Sequence, residues 1–264
     1  MVAAITLVVF LARGEMNSGQ ALVHALSGDV SISAGRGIWQ KLDAPTRLDR
    51  GTLIKTGADS TVDLVLGYHR TVLRLTPNSV LRLVQLDQEI AGEDFITETK
   101  LELISGALAG SQRKLPPHSH LEITTPTAVA RIKGTEYYVS ASGAVSVVSG
   151  VVSIHYNLPG NGGSVKATIP AGYSFNPATM TVVPTTPALL QNIIAHIITT
   201  RNNAETFKAN GATIVVKPKD DDHISPSHPG DDDHGDDGHG GHGDDGHGND
   251  GHGISPGNPG GKKP

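Results

Sequence analysis

The chain of 264 residues contains no cysteine. That excludes disulfides, thiolate metal sites, a cysteine nucleophile and a lipid anchor on an N-terminal cysteine. Metal binding is thereby confined to oxygen and imidazole ligands. Tryptophan occurs once, at Trp39, and its expected role is to cap one end of the core. No apolar run reaches the ~20 residues needed to span a bilayer. Val2 to Ala12 instead has the length of a signal-peptide h-region, and Gly19-Gln20-Ala21 offers small residues for cleavage after Ala21. The sequence therefore predicts a signal peptide over 1–21, export to the periplasm or cell exterior, and no membrane span in the mature chain.

Charge is divided unevenly. Residues 220–264 carry eleven Asp and two Lys, a net of −9, whereas the whole chain is −5, which leaves +4 for the rest. A charge of +4 spread so thinly lacks the clustered Lys and Arg of a nucleic-acid footprint, and no nucleic-acid partner is expected. Catalytic signatures are missing too: there is no His-Glu-x-x-His, no phosphate loop and no Gly-x-Ser-x-Gly elbow. Gly238 to Gly243 fits Gly-x-Gly-x-x-Gly by letter, but no strand precedes it and no helix follows. The expectation is a protein that is not an enzyme, with no catalytic residues and no cofactor in its body.

From Leu22 to Val182 short runs of β-branched and aliphatic residues alternate with Gly, Pro, Asn and Asp, which predicts an all-β body. Alternation at Val62 to Leu66, Val72 to Leu75, Leu101 to Leu103 and Val165 to Ile169 predicts strands with one face in water. Three segments echo one another around Ser27-Gly28, Ser105-Gly106 and Ser149-Gly150. Glycine at a fixed place in a strand pattern marks a bulge or a close backbone approach, and its recurrence points to stacked β units, as in a short solenoid or roll.

Two stretches resemble one known family. Thr125-Pro126 leads through a β-rich run into Gly134-Thr135-Glu136-Tyr137-Tyr138, and upstream stand Gly51-Thr52-Leu53-Ile54, Gly57, Ser60 and Leu73 to Leu81 with Thr76-Pro77-Asn78-Ser79. Together they resemble the FecR domain across roughly residues 22–182. The resemblance implies a short-stranded β-solenoid or roll-like body located in the cell envelope. Proteins that gave the family its name sit in the inner membrane, relay a siderophore signal and control a sigma factor. That role needs a cytoplasmic segment, a membrane helix and a C-terminal receiving domain, none of which is read in this sequence. Within the family block, Glu136 is expected to satisfy backbone or a basic neighbour such as Lys133 or Arg131.

Thr186 as N-cap with Pro187 at the first helical position starts a helix. Leu190, Ile194, Ile197, Ala204 and Phe207, joined by Leu189, Ile193 and Ile198, give it a broad apolar face, and Asn210-Gly211 is a stop. The helix and a short strand over 183–216 are expected to pack on the β domain of 22–182. From 217 to 264 no hydrophobic period remains, so the sequence predicts a disordered tail rich in Asp, His and Gly.

That tail holds the candidate metal ligands His223, His228, His234, Asp236, Asp237, His239, His242, Asp244, Asp245, His247 and His252. The unit Gly-Asp-Asp-Gly-His-Gly occurs at 235–240 and 243–248, with an Asn variant at 248–253. Imidazole beside carboxylate suits zinc, nickel or copper, and flexible glycines let several rings converge. The spacing is not that of an EF-hand loop. In the body, His118 and His120 flank Ser119 on a predicted loop. The functional expectation is a non-enzymatic envelope module that binds a protein or polysaccharide partner and carries a metal-binding tail. The alternative is a FecR-type regulator in metal or iron signalling that acts through a membrane partner.

Overall fold

The computed structural model describes residues 17–35, 37–67, 71–91, 94–158, 160, 162–206, 208–209 and 212–213. In chain order its body contains β1 (Asn17–Ser18), β2 (Ala21–Ser27), β3 (Val30–Ser33), β4 (Gln40–Lys41), β5 (Thr46–Leu48), β6 (Leu53–Thr56), β7 (Thr61–Leu66), β8 (Thr71–Leu75) and β9 (Val80–Ala91). There follow β10 (Asp94–Ser105), β11 (Ala107–Ser111), β12 (His120–Thr124), β13 (Ala128–Ser140), β14 (Val145–Asn157), β15 (Ser164–Pro170), β16 (Tyr173–Asn176) and β17 (Thr181–Pro184). Helix α1 (Pro187–Thr206) comes next, and then the two-residue strands β18 (Lys208–Ala209) and β19 (Ala212–Thr213).

Backbone pairing sets the body strands in two rows. The first runs β5, β2, β7, β8, β11, the C-terminal half of β13, the N-terminal half of β14, β16 and β17. The second runs β4, β3, β6, β9, β10, β12, the N-terminal half of β13, the C-terminal half of β14 and β15. Because β13 and β14 belong to both rows, the rows form one sheet curled around a shared core. Leu64, Leu73, Leu108 and Tyr137 enter that core from the first row, and Leu83, Leu103, Ile123 and Ile154 from the second. The body is mostly β, as expected. Its strands are not uniformly short, however: β9 and β10 have 12 residues and β13 and β14 have 13. Of these, β13 and β14 pass from one row to the other without a break, bending at register shifts such as that between Lys133 and Glu136.

The Ser-Gly echoes lie where the chain changes rows. Gly28, Gly106 and Gly150 all have positive φ, at 79°, 74° and 81°. At Gly106 the need for glycine is also steric, since an added Cβ would lie 2.6 Å from Ser79 Cα. A seam of buried hydroxyls stitches these corners together. Thr56 Oγ1 donates to Thr76 O at 2.7 Å, Ser79 Oγ accepts from Ala107 N at 2.9 Å, Asp29 N donates to Ser60 Oγ at 2.8 Å, and Thr135 Oγ1 donates to Val151 O at 3.0 Å. The corners leave backbone groups without ladder partners, and these side chains satisfy them inside the fold. The Gly-Thr and Thr-Pro-x-Ser signatures of the sequence are thus corner chemistry.

The sheet begins upstream of the expected cleavage point. Asn17 and Ser18 pair with Gln88 and Asp87, and Gly19 N donates to Leu86 O at 2.6 Å. Trp39 does not cap the core: it is 42% exposed, with Lys55 Nζ 5.8 Å from its ring centre. Ala212–Thr213 pairs with Lys208–Ala209 rather than with the main sheet.

Candidate functional site

The two outer faces of the curled sheet differ. On the first row, Leu22, His24, Asp63, Val65, Arg74, Ala109 and Tyr138 alternate with core residues and point away from the core. Helix α1 lies across this face. It starts at a Thr186 cap, where Leu190 N donates to Thr186 O at 3.0 Å. Its buried stripe is Ile193, Ile197, Thr200 and Ala204, with Ile193 and Ile197 packed on Ala109, Tyr138 and Val148. This stripe is narrower than the apolar face read from sequence, and Ile198 on the far side is 50% exposed. The expectation that Val62 to Leu66 and Val72 to Leu75 have one face in water is corrected by the same docking, because the helix covers that face.

Polar groups also hold the helix to the sheet. Asp63 and Arg74 stand opposite each other on β7 and β8, and Arg74 donates through Nε to Oδ1 at 2.7 Å and through Nη2 to Oδ2 at 2.6 Å. Asn203 of the helix donates to the same Oδ2 at 2.7 Å. His24 Nε2 lies 3.4 Å from Thr200 O. Arg201 donates to Ser111 Oγ at 2.7 Å and pairs with Glu136. Glu136 is therefore satisfied by the helix and not by Lys133 or Arg131, and Arg131 instead meets Glu122 at 3.0 Å. Burial pushes His24 below the usual histidine value, Asp63 opposing and Arg74 reinforcing the shift. Burial and the Arg74 charge lower His196 as well, against an opposing pull from Asp63. Sequence reading missed this cluster. The alternation at Asp63 and Arg74 signalled an outward pair, but nothing in the pattern said that Asn203 and Arg201 would land on it.

The outer face of the second row is uncovered among the described residues. Arg131, Ser153, His155, Lys166 and Thr168, together with Val129, Ile154 and Ala167, line a shallow depression of about 350 Å³ across β13, β14 and β15. Lys133 is exposed on the same face, and neither Lys133 nor Lys166 has an ion-pair partner among the described residues.

The candidate metal ligands His223, His228, His234, Asp236, Asp237, His239, His242, Asp244, Asp245, His247 and His252 all lie outside the described residues. His69 does too. Among the described residues no group of three His, Asp or Glu converges as metal ligands. His118 adopts a positive φ of 71°, and His120 begins β12 as an exposed residue. No helix among the described residues is long and apolar enough to cross a membrane.

Residues 52–153 match the family described as FecR protein, a span that contains most of the corner seam. No curated protein sequence matches the chain. Two crystal structures of a putative anti-sigma factor from Parabacteroides distasonis ATCC 8503, at 2.50 Å and 1.65 Å, are similar to it at 16% and 17% identity, with TM-scores of 0.37 and 0.36. Each alignment covers 51% of this chain, and the chain spans only 59% of the length of those proteins.

Proposed function

With residues 52–153 a FecR domain, we propose that this protein is a non-enzymatic exported module of the cell envelope that acts by binding a protein partner, and that its tail holds zinc, nickel or copper. The observation that carries the reading is the asymmetry of the body. One outer face is closed by α1 through the Asp63, Arg74 and Asn203 bonds, while the other presents a depression beside Lys133 and Lys166, which have no ion-pair partner among the described residues. A rigid sheet with one finished and one unfinished face is a scaffold for recognition. In the tail, the imidazoles and carboxylates from His223 to His252 are the ligands.

The second reading is regulation: a FecR-type protein that transmits a metal or iron signal through a membrane partner. The family match itself favours it. The two readings share an envelope location and a protein partner, and differ in whether transcription responds. Fractionation of formaldehyde-treated cells tests what they share. The expected result is the full chain in the periplasmic or external fraction, cross-linked to one envelope protein. A chain confined to the cytoplasm and free of cross-links contradicts both.

A further inference from the structure

Among the described residues, strand β15 is paired on one side only. It pairs with β14, and no described residue pairs with its other edge. Leu158 N donates to Gly163 O at 2.9 Å, which sets the phase of this hairpin. In that phase Val165, Ala167 and Ile169 exchange bonds with β14, while Ser164, Lys166 and Thr168 turn their N–H and C=O groups outward. Two observations agree with the phase. Asn157 N is directed the other way, to Thr127 O at 2.8 Å. Pro170, which has no N–H, falls on an outward position where no ladder bond is lost.

The side chains sort in the same register. Ser164, Lys166 and Thr168 are exposed, Val165 and Ala167 are half-buried, and Ile169 is buried. Lys166 and Thr168 line the depression with Arg131 and His155, so the outward edge carries the Lys166 cation on its solvent face and apolar groups on its core face. We propose that the open edge of β15 takes up an extended peptide segment of a partner protein, in which acidic side chains alternate with apolar ones. Added as a strand, the segment bonds to the outward groups of residues 164, 166 and 168. Its acidic side chains lie beside Lys166, and its apolar ones continue the row of Val165 and Ala167. The inference rests on the partner-binding reading and supplies the place and the chemistry of the partner.

Charge decides against a second copy of this chain. A two-fold pairing centred on Lys166 sets two lysines directly opposite each other, and like charges in that position are destabilising. An acidic polysaccharide shares the attraction to Lys166. It has no counterpart to backbone groups repeating every second residue, about 6.8 Å apart along a strand.

The test uses the full-length protein and a fluorescent heptapeptide of alternating Glu and Val, with a Lys and Val peptide as control and polygalacturonate as a second ligand. Fluorescence anisotropy is expected to show binding of the acidic peptide only, weakening with salt. Lys166→Glu and Thr168→Pro should each loosen it by about tenfold or more. Lys166→Glu leaves the backbone unchanged, so a folding defect in Thr168→Pro does not confound the pair. Hydrogen exchange should show Ser164, Lys166 and Thr168 amides gaining protection on binding. Unchanged affinity in both variants overturns the edge assignment, as do polygalacturonate binding that protects the same amides, a dimer that Thr168→Pro abolishes, and outward amides already protected in the free protein. Acidic-peptide binding that neither variant alters leaves the partner-binding reading standing, because that reading falls only on the fractionation and cross-linking result.

Discussion

Asp63 and Arg74 face each other across β7 and β8 and bond through both carboxylate oxygens, with side-chain exposures of 2% and 12%. Asn203 adds a third bond from the helix, so this pair is both a strand contact and the anchor of α1. Removing one member leaves a buried charge without its partner. Asp63→Ala is expected to destabilise the fold by about 3–5 kcal/mol, whereas replacing Asp63 and Arg74 together by aliphatic residues should cost far less. Urea denaturation of the three proteins measures the difference.

Stability should fall in mild acid. His24 and His196 have folded-state values below the ordinary histidine value, chiefly through burial. The unfolded chain therefore binds more protons between the lowered value and about 6.5. The contribution is complete above pH 6.5 and is lost as pH falls through the window beneath it. Asp63 and Arg74 act in opposition on both rings, and backbone bonds at Thr200 and Leu22 oppose the lowering at His24. Thermal midpoints measured from pH 7.5 to 5 should decline, and the decline should flatten when both histidines are replaced by glutamine.

Gly106 and Gly172 separate backbone strain from steric overlap. Both have positive φ, at 74° and 80°, but an added Cβ at Gly172 meets nothing within 4 Å, while at Gly106 it runs into Ser79. Gly172→Ala should cost roughly 1–3 kcal/mol, the price of a left-handed backbone. Gly106→Ala should cost distinctly more, because Ser79 must abandon its bonds to Ala107. Equal losses in chemical denaturation would show that the corner seam contributes little.

The β body was legible because its signals are local. Ser-Gly at 28, 106 and 150 marked places where the chain turns, and the structure puts a corner or bulge at each. Alternation correctly separated core from outward residues in β7 and β8. It does not say what covers an outward face, and Asp63, which alternation turns toward water, lies under a helix. The same limit applies to Glu136: its nearest cations in sequence are Lys133 and Arg131, but β13 alternates, and Arg201 arrives from 65 positions away. Trp39 was misplaced because a large apolar ring predicts burial only when a neighbouring element is positioned to receive it.

The tail is expected to bind transition metals through its histidines. Calorimetric titration of Zn²⁺, Ni²⁺, Cu²⁺ and Ca²⁺ into the untagged protein should show several ions of the first three bound, with Cu²⁺ tightest, following the intrinsic order for unorganised nitrogen and oxygen ligands. Replacing the seven histidines from His223 to His252 by asparagine should abolish this binding and leave thermal stability of the body unchanged. Metal uptake that survives the replacement would move the site elsewhere.

The most direct test of the partner-binding account is site-specific photo-cross-linking in living cells, with the reactive residue placed singly at Lys133 or Lys166 on the open face and at Leu189 or Ile198 on the exposed side of α1. The account predicts one discrete adduct from both open-face positions and none from the helix. An adduct from the helix positions alone would contradict it, and would make α1, not the uncovered sheet, the surface that meets the partner.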